Sequence, residues 1–262
     1  MKRLLPLLGI AALAATLAAC GSSSKKTIVF CSDTTYPPME SIVNGKAAGA
    51  DIDIANAIAN QLGMTAQIKT TGFTVIVPAL LHKKCDAIIS SVTITADRAK
   101  TVHFVPYITV GAFLMVTKGN PSNISTLASL SGKSVAVEAT TTELAGLQAE
   151  NKALQNEGKP QITIKIYPAD TSAAAAILSG HVDAYFADAT PVLYYIRTTN
   201  GQFETAGSQV ETAPEGIATR KGDPLAAQIQ SAVNALYANG KMKTILAKWQ
   251  ASQFALTPLR QG

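Results

Sequence analysis

The sequence predicts an α/β protein built as two lobes of one design, and three observations carry that prediction. Short apolar strands alternate with helical stretches, first over residues 27–89 and again over residues 134–186, the order that produces parallel strands covered by helices. ALLHKKCDAIISS from Ala79 and AILSGHVDAYFAD from Ala176 align without a gap, 97 positions apart, so that Asp86 falls on Asp183 and Ser91 on Asp188. A repeat at that spacing marks a duplicated unit. Between the two passes, ITVGAFLMVT (108–117) is a long β-prone run interrupted by Gly111, suited to a hinge strand, and residues 211–220 are the place for the chain to cross back.

The first residues stand apart from this plan. Lys2 and Arg3 precede an apolar stretch, 4–19, that ends in LAAC at Cys20, the pattern of a bacterial lipoprotein signal cleaved before a cysteine that then receives lipid. Read instead as a transmembrane anchor, an Ala-rich stretch of this length is short for a bilayer core of about 30 Å. Cleavage leaves 243 residues and lowers the formal charge from +5 to +3. GSSSKK (21–26) then reads as a flexible tether. Two of the remaining lysines sit in that tether, and no dense basic run points to nucleic acid.

Within the first lobe, TIVFC (27–31) is an apolar strand ending in Ser32, Asp33 and the Tyr36–Pro37–Pro38 turn. After the Asn44–Gly45 turn, Ile54, Ala57, Ile58 and Leu62 recur at helical spacing over 51–62, and Gly63 stops the helix. A strand over 66–69, a helix over 75–82 and a strand over 86–89 complete the unit. The second lobe repeats it with strands at 134–137, 162–167 and 182–186 and helices at 143–151 and 172–178. Residues 224–250 read as helices whose apolar faces, Leu225, Ile229, Val233 and Leu236 and then Ile245, Leu246 and Trp249, are expected to pack on the first lobe. The expected division is 27–109 plus 213–252 for the first lobe, 110–212 for the second, and 253–262 as a tail.

Cys31 and Cys85 remain after Cys20 is given to lipid. An exported compartment permits a disulfide. Placed on parallel strands that end at one site, however, they are offset by about three residues, or roughly 10 Å, beyond the usual span of a disulfide. Two free, buried thiols are expected.

The chemistry concentrates in DAIISSVTITADR (86–98). Ser90, Ser91 and Thr93 follow the strand, Thr95 suits a helix N-cap, and Arg98 then falls in the first turn. Hydroxyls, free amides at a helix start and a forked guanidinium together receive a carboxylate. The alternative is a capped helix with a surface arginine. His82, His103 and His181 are scattered without metal-ligand spacing. No nucleophile elbow, phosphate loop or dinucleotide fingerprint is present.

The chain resembles the bacterial extracellular solute-binding proteins of family 3. The likeness runs from Thr27 to about Trp249 through DTTYPPME, GADIDIANAIANQLG, FTVIVPALLHKKCDAIISSVTITADR, VEATTTE, VDAYFAD and NGKMKTILAKW in that order. The resemblance implies a two-lobed periplasmic-binding-protein-like fold of type II and a non-enzymatic, monomeric receptor for a polar amino acid, without cofactor or metal. It also implies an ABC permease as partner and a periplasmic or envelope-lipoprotein location. By position, Arg98 with Ser91, Thr93 and the amide of Thr142 resembles the carboxylate site, and Ser90 is a further candidate lining residue. Asp188 resembles the partner of the α-ammonium, and Tyr36, Phe73 and Asp33 resemble the walls and far end of the side-chain pocket. Glu138 resembles a position that touches the ligand side chain; with Asp33 and Glu143 it would make the pocket acidic, which leans towards a cationic ligand over glutamine. Simpler roles stand beside these: Asp33 as a strand-end cap, Tyr36 as turn packing, Asp188 as an N-cap, Glu138 and Glu143 as solvated surface. A prephenate-type dehydratase on the same fold and a sensing module of a larger receptor are the other functional readings. Thr140 stands where many relatives have glycine, which predicts a different backbone path there; Ala50 and Val105 are further departures.

Overall fold

The computed structural model describes residues 26–256, so the lipoprotein pattern ending at Cys20 lies outside the described residues. Strand β1 (Thr27–Ser32) buries Ile28 and Phe30. β2 (Thr35–Tyr36), β3 (Glu40–Val43) and β4 (Lys46–Ala48) form a small antiparallel sheet of their own. Helix α1 (Ala50–Gln61) turns Ile54 and Ile58 inwards, and β5 (Thr65–Thr70), α2 (Phe73–Leu81) and β6 (Ala87–Ile88) complete a parallel β5-β1-β6 arrangement. The short helix α3 (Ala96–Thr101) then feeds β7 (Val102–Thr117), a 16-residue strand that extends well before the expected hinge run.

The second pass runs β8 (Ser134–Glu138), α4 (Thr142–Asn156), β9 (Thr163–Tyr167), α5 (Asp170–Leu178), β10 (Ala184–Asp188) and α6 (Ala189–Thr198), with β9 and β10 both parallel to β8. β11 (Phe203–Arg220) returns antiparallel to β7, and α7 (Leu225–Ala238) and α8 (Lys241–Lys248) pack on the first lobe through Ile229, Val233, Leu236, Ile245 and Leu246. The chain is thus a mixed α/β protein of two lobes.

The repeat seen in the sequence has a structural counterpart. Asp86 accepts from the Val29 amide through Oδ2 at 2.8 Å and its own amide donates to the Val29 carbonyl, tying β6 to β1. Asp183 does the same to Ser134 at 2.8 Å, tying β10 to β8. Each aspartate thereby satisfies an amide of its lobe's first strand.

Between the lobes the β7–β11 ladder slips register at Ala206/Val210, Val210/Ala213 and Glu215/Gly216. Such bulges bend and twist a paired ribbon. Gly111 sits where a Cβ would meet the Val210 carbonyl oxygen at 2.9 Å, so glycine is needed there for close approach of the two crossing strands.

Two expectations fail. Cys31 and Cys85 form a disulfide, with Cα atoms 5.7 Å apart. The error was to treat Cys85 as part of an extended strand: β6 is only Ala87–Ile88, and residues 82–86 form a bend. That bend shortens the offset which a strand would have imposed. Thr140, in turn, takes φ +64°, the left-handed conformation that favours glycine. The backbone there adopts a glycine-like conformation despite the β-branched side chain.

Candidate functional site

The carboxyl ends of β1 and β6 in the first lobe and of β8 and β10 in the second face one another, as ligand sites of parallel sheets do. A cleft with about 310 Å³ of empty space, part of it open to solvent, lies between them. All eleven residues expected at the site line it: Asp33, Tyr36, Phe73, Ser90, Ser91, Thr93 and Arg98 from the first lobe, and Glu138, Thr142, Glu143 and Asp188 from the second. Glu40 and Thr141 join them.

Arg98 is placed by its own helix start. Thr95 caps α3 by accepting from the Arg98 amide at 3.1 Å, which holds the guanidinium over the cleft. One of its nitrogens donates to the Thr93 carbonyl at 2.8 Å and another to the Thr140 carbonyl, across the cleft, at 3.0 Å. The guanidinium carries five donors, so others remain for a carboxylate. The ring of Phe73 lies 5.5 Å beneath it, so this residue supports the arginine as well as walling the pocket. Thr141 caps α4 by accepting from Leu144, leaving Thr142 as the first helical residue with its amide at the cleft. Burial weakens the proton affinity of Arg98, while Glu143, Asp188 and Glu215 work the other way.

Asp188 occupies the N-cap position of α6, yet its carboxylate does not cap the helix. It accepts from the Tyr36 hydroxyl across the cleft at 2.7 Å. Burial first, then the charge of Glu143, raises its pKa well above the usual carboxylate range. Asp33 holds the start of α2 and not only its own strand end: Oδ2 accepts from the Phe73 amide, and the residue also lines the cavity. Glu138 and Glu143 are buried, so neither is solvated surface.

Sequence reading missed four acids, Glu40 in the lining and Asp51, Asp170 and Glu215 behind it. Glu40 accepts from the Ser90 hydroxyl at 2.9 Å, while that same oxygen of Ser90 accepts from the Asp33 amide at 2.8 Å. The Ser90 hydroxyl is therefore committed to Glu40. Asp51 accepts from the Ser91 amide and from the Tyr107 hydroxyl at 2.9 and 2.8 Å. Asp170 accepts from the Tyr185 hydroxyl, and Glu215 lies on β11 beside Thr93 with neither carboxylate oxygen bonded among the described residues. A lone acid in the apolar EGIATR run was the available signal for Glu215. Burial pushes Asp51 up to about 6, Asp170 to about 7, Glu215 to about 8 and Glu138 to about 9.

Two opposed α/β lobes thus enclose a cleft lined by one arginine, one helix start and facing carboxylates. The bacterial extracellular solute-binding proteins, family 3, match over residues 28–252, and the chain belongs to that family. It is similar to ABC transporter arginine-binding protein 1 of Escherichia coli strain K12, at 31% identity over 87% of this chain and 93% of the relative. It is also similar to ABC transporter glutamine-binding protein GlnH of Bacillus subtilis strain 168, at 30% identity over 89% and 84%. Among solved structures, an ancestral arginine-binding protein bound to arginine superposes with a TM-score of 0.78, at 34% identity over 86% of this chain and 98% of that one.

Proposed function

We propose that this chain captures a cationic L-amino acid between its lobes and delivers it to the transmembrane subunits of an ABC importer. The observation that carries the ligand class is the charge imbalance of the cleft. Five carboxyl groups line the cavity, Asp33, Glu40, Glu138, Glu143 and Asp188, against the single guanidinium of Arg98, and Asp51, Asp170 and Glu215 are buried behind them. Arg98 takes the ligand α-carboxylate with the Thr142 amide, and Asp188 takes the α-ammonium. Buried charge is tolerated only when it is paired. A lysine- or arginine-like side chain supplies the missing positive charge near Asp33 and Glu138. The reading is favoured over the dehydratase alternative because the relatives described above are binding proteins by name.

Calorimetry against the twenty amino acids and ornithine tests it, with arginine or lysine expected to bind tightest. Asp33→Asn with Glu138→Gln should weaken the cationic ligand by tens-fold or more, since each charge-assisted contact is worth roughly 1.5 to 3 kcal/mol. Glutamine should respond little. A wild type that prefers glutamine outright would reject the cationic reading.

Lipid on Cys20 would tether the receptor to the membrane close to its permease. Cys20→Ser is expected to abolish lipidation and release the protein from membranes or leave its precursor uncleaved. Unchanged mass and fractionation would count against the anchor.

A further inference from the structure

We propose that uptake of the cationic ligand is an exchange, in which its side-chain charge enters the cleft as the carboxylic proton of Glu138 leaves for solvent. The inference rests on the cationic-ligand reading above and adds to it the fate of a proton.

The geometry begins with where Glu138 stands. It is the last residue of β8, its side chain is buried, and Oε1 has no hydrogen-bond partner among the described residues. The charged groups acting on it are all acidic: Asp170 at the start of α5, Asp33 across the cleft and Glu143 in the first turn of α4. The tyrosines around it, Tyr185 on β10 and Tyr195 on α6, are themselves tied to Asp170, and Tyr167 is its register partner on β9. The Asp170 amide favours the anion but does not outweigh burial. A carboxyl group in such surroundings keeps its proton at neutral pH, and burial with these neighbours raises the pKa to about 9.

Burial raises Asp33 as well, but the Thr35 hydroxyl and the Phe73 and Thr35 amides work against it, whereas the Asp170 amide alone does so for Glu138. Asp188, also raised, meets the α-ammonium that every amino acid carries, so the proton exchanged for a side-chain charge belongs to Glu138. When a guanidinium or ammonium group reaches the pocket, it supplies the positive charge that the proton supplied before. The O–H bond of Glu138 breaks, the electron pair stays on the carboxylate, the proton passes to buffer, and no covalent bond forms to the ligand. A neutral side-chain amide needs no such exchange, since the protonated carboxyl can donate a hydrogen bond to the amide oxygen.

The sign follows directly. A proton that must leave on binding competes with the cation, so affinity for arginine rises with pH until the unliganded group ionises by itself. Titration of the full chain at fixed pH, in buffers of different ionisation heat, should show about one more proton released with L-arginine than with L-glutamine, since the α-ammonium meets Asp188 in both cases. Between about pH 6 and 8 the ratio of arginine to glutamine affinity should rise by up to tenfold per pH unit. Glu138→Gln should remove both differences. Arginine that releases no more protons than glutamine, with a flat affinity ratio, would overturn the exchange while leaving the cationic reading intact, as would a Glu138→Gln variant that still releases the extra proton. A protein that binds glutamine but neither arginine nor lysine would overturn both.

Discussion

Replacing Arg98 by alanine is expected to abolish amino-acid binding while leaving the protein folded. The guanidinium is the fixed cation of the cleft, held by Thr93 and Thr140 carbonyls and supported by Phe73. Without it a ligand carboxylate is desolvated with only hydroxyls and amides to receive it. Truncating one side of such a buried charge pair costs roughly 2 to 5 kcal/mol, a loss of about thirtyfold to several thousandfold in affinity. The structural cost is smaller, because α3 is a six-residue helix with no buried residues. Calorimetry with the preferred ligand should show no measurable heat of binding, and thermal unfolding of the ligand-free variant should stay cooperative within a few degrees of wild type. Arg98→Lys keeps the charge but not the fork, and should recover only part of the affinity. Near-wild-type binding by Arg98→Ala would remove the carboxylate site from this place.

Much of this architecture was legible because local signals agreed with one another. The 97-residue repeat placed Asp86 and Asp183 in register, and both turn out to brace the first strand of their lobe. Thr95 could be read as a cap because its hydroxyl needs only the amide three residues on, a contact that local sequence contains. Local signals in the same way pointed to Ser90, Ser91, Thr93 and Arg98, whereas Tyr36, Phe73, Glu138, Thr142 and Asp188 were named through the family resemblance; all of them line the cleft.

What escaped the sequence depends on contacts between distant segments. Glu40, Asp51 and Glu215 come together from β3, α1 and β11, and their burial follows from packing against Ser90, Ser91 and Tyr107 rather than from any local pattern. In the sequence, Asp51 and Asp53 are two acids of one helix turn. In the fold, Asp51 is fully buried behind the site, while Asp53 reaches out to Lys248 and the Trp249 indole, both at 2.7 Å. Nearby positions on a helix point in different directions, but which direction meets the core is decided by the strands that the helix packs against. The cysteine pair was misjudged for a related reason, since strand spacing was applied across a bend.

Removing the disulfide is expected to give the largest loss of stability. Cys31 and Cys85 are both buried and 54 residues apart in sequence, and their bond ties the end of β1 to the bend between α2 and β6. Closing a loop of that length restricts the unfolded chain by about 4 kcal/mol in the chain-entropy account. In a protein of this size that corresponds to a fall in Tm of roughly 8 to 16 °C. The test is the paired substitution Cys31→Ala with Cys85→Ala, chosen over serine because a hydroxyl at either buried position would add an unsatisfied polar group and confuse the result. Wild type treated with reductant should show a similar loss. Ligand affinity measured well below the lowered Tm should change much less than stability, because the constraint acts chiefly on the unfolded ensemble while Asp33, Ser90 and Arg98 keep their own hydrogen bonds. Should the paired variant and the reduced protein unfold at the wild-type temperature, the two sulfurs are not bonded in the folded protein, and the separate packing of two thiols becomes the better description of this strand end.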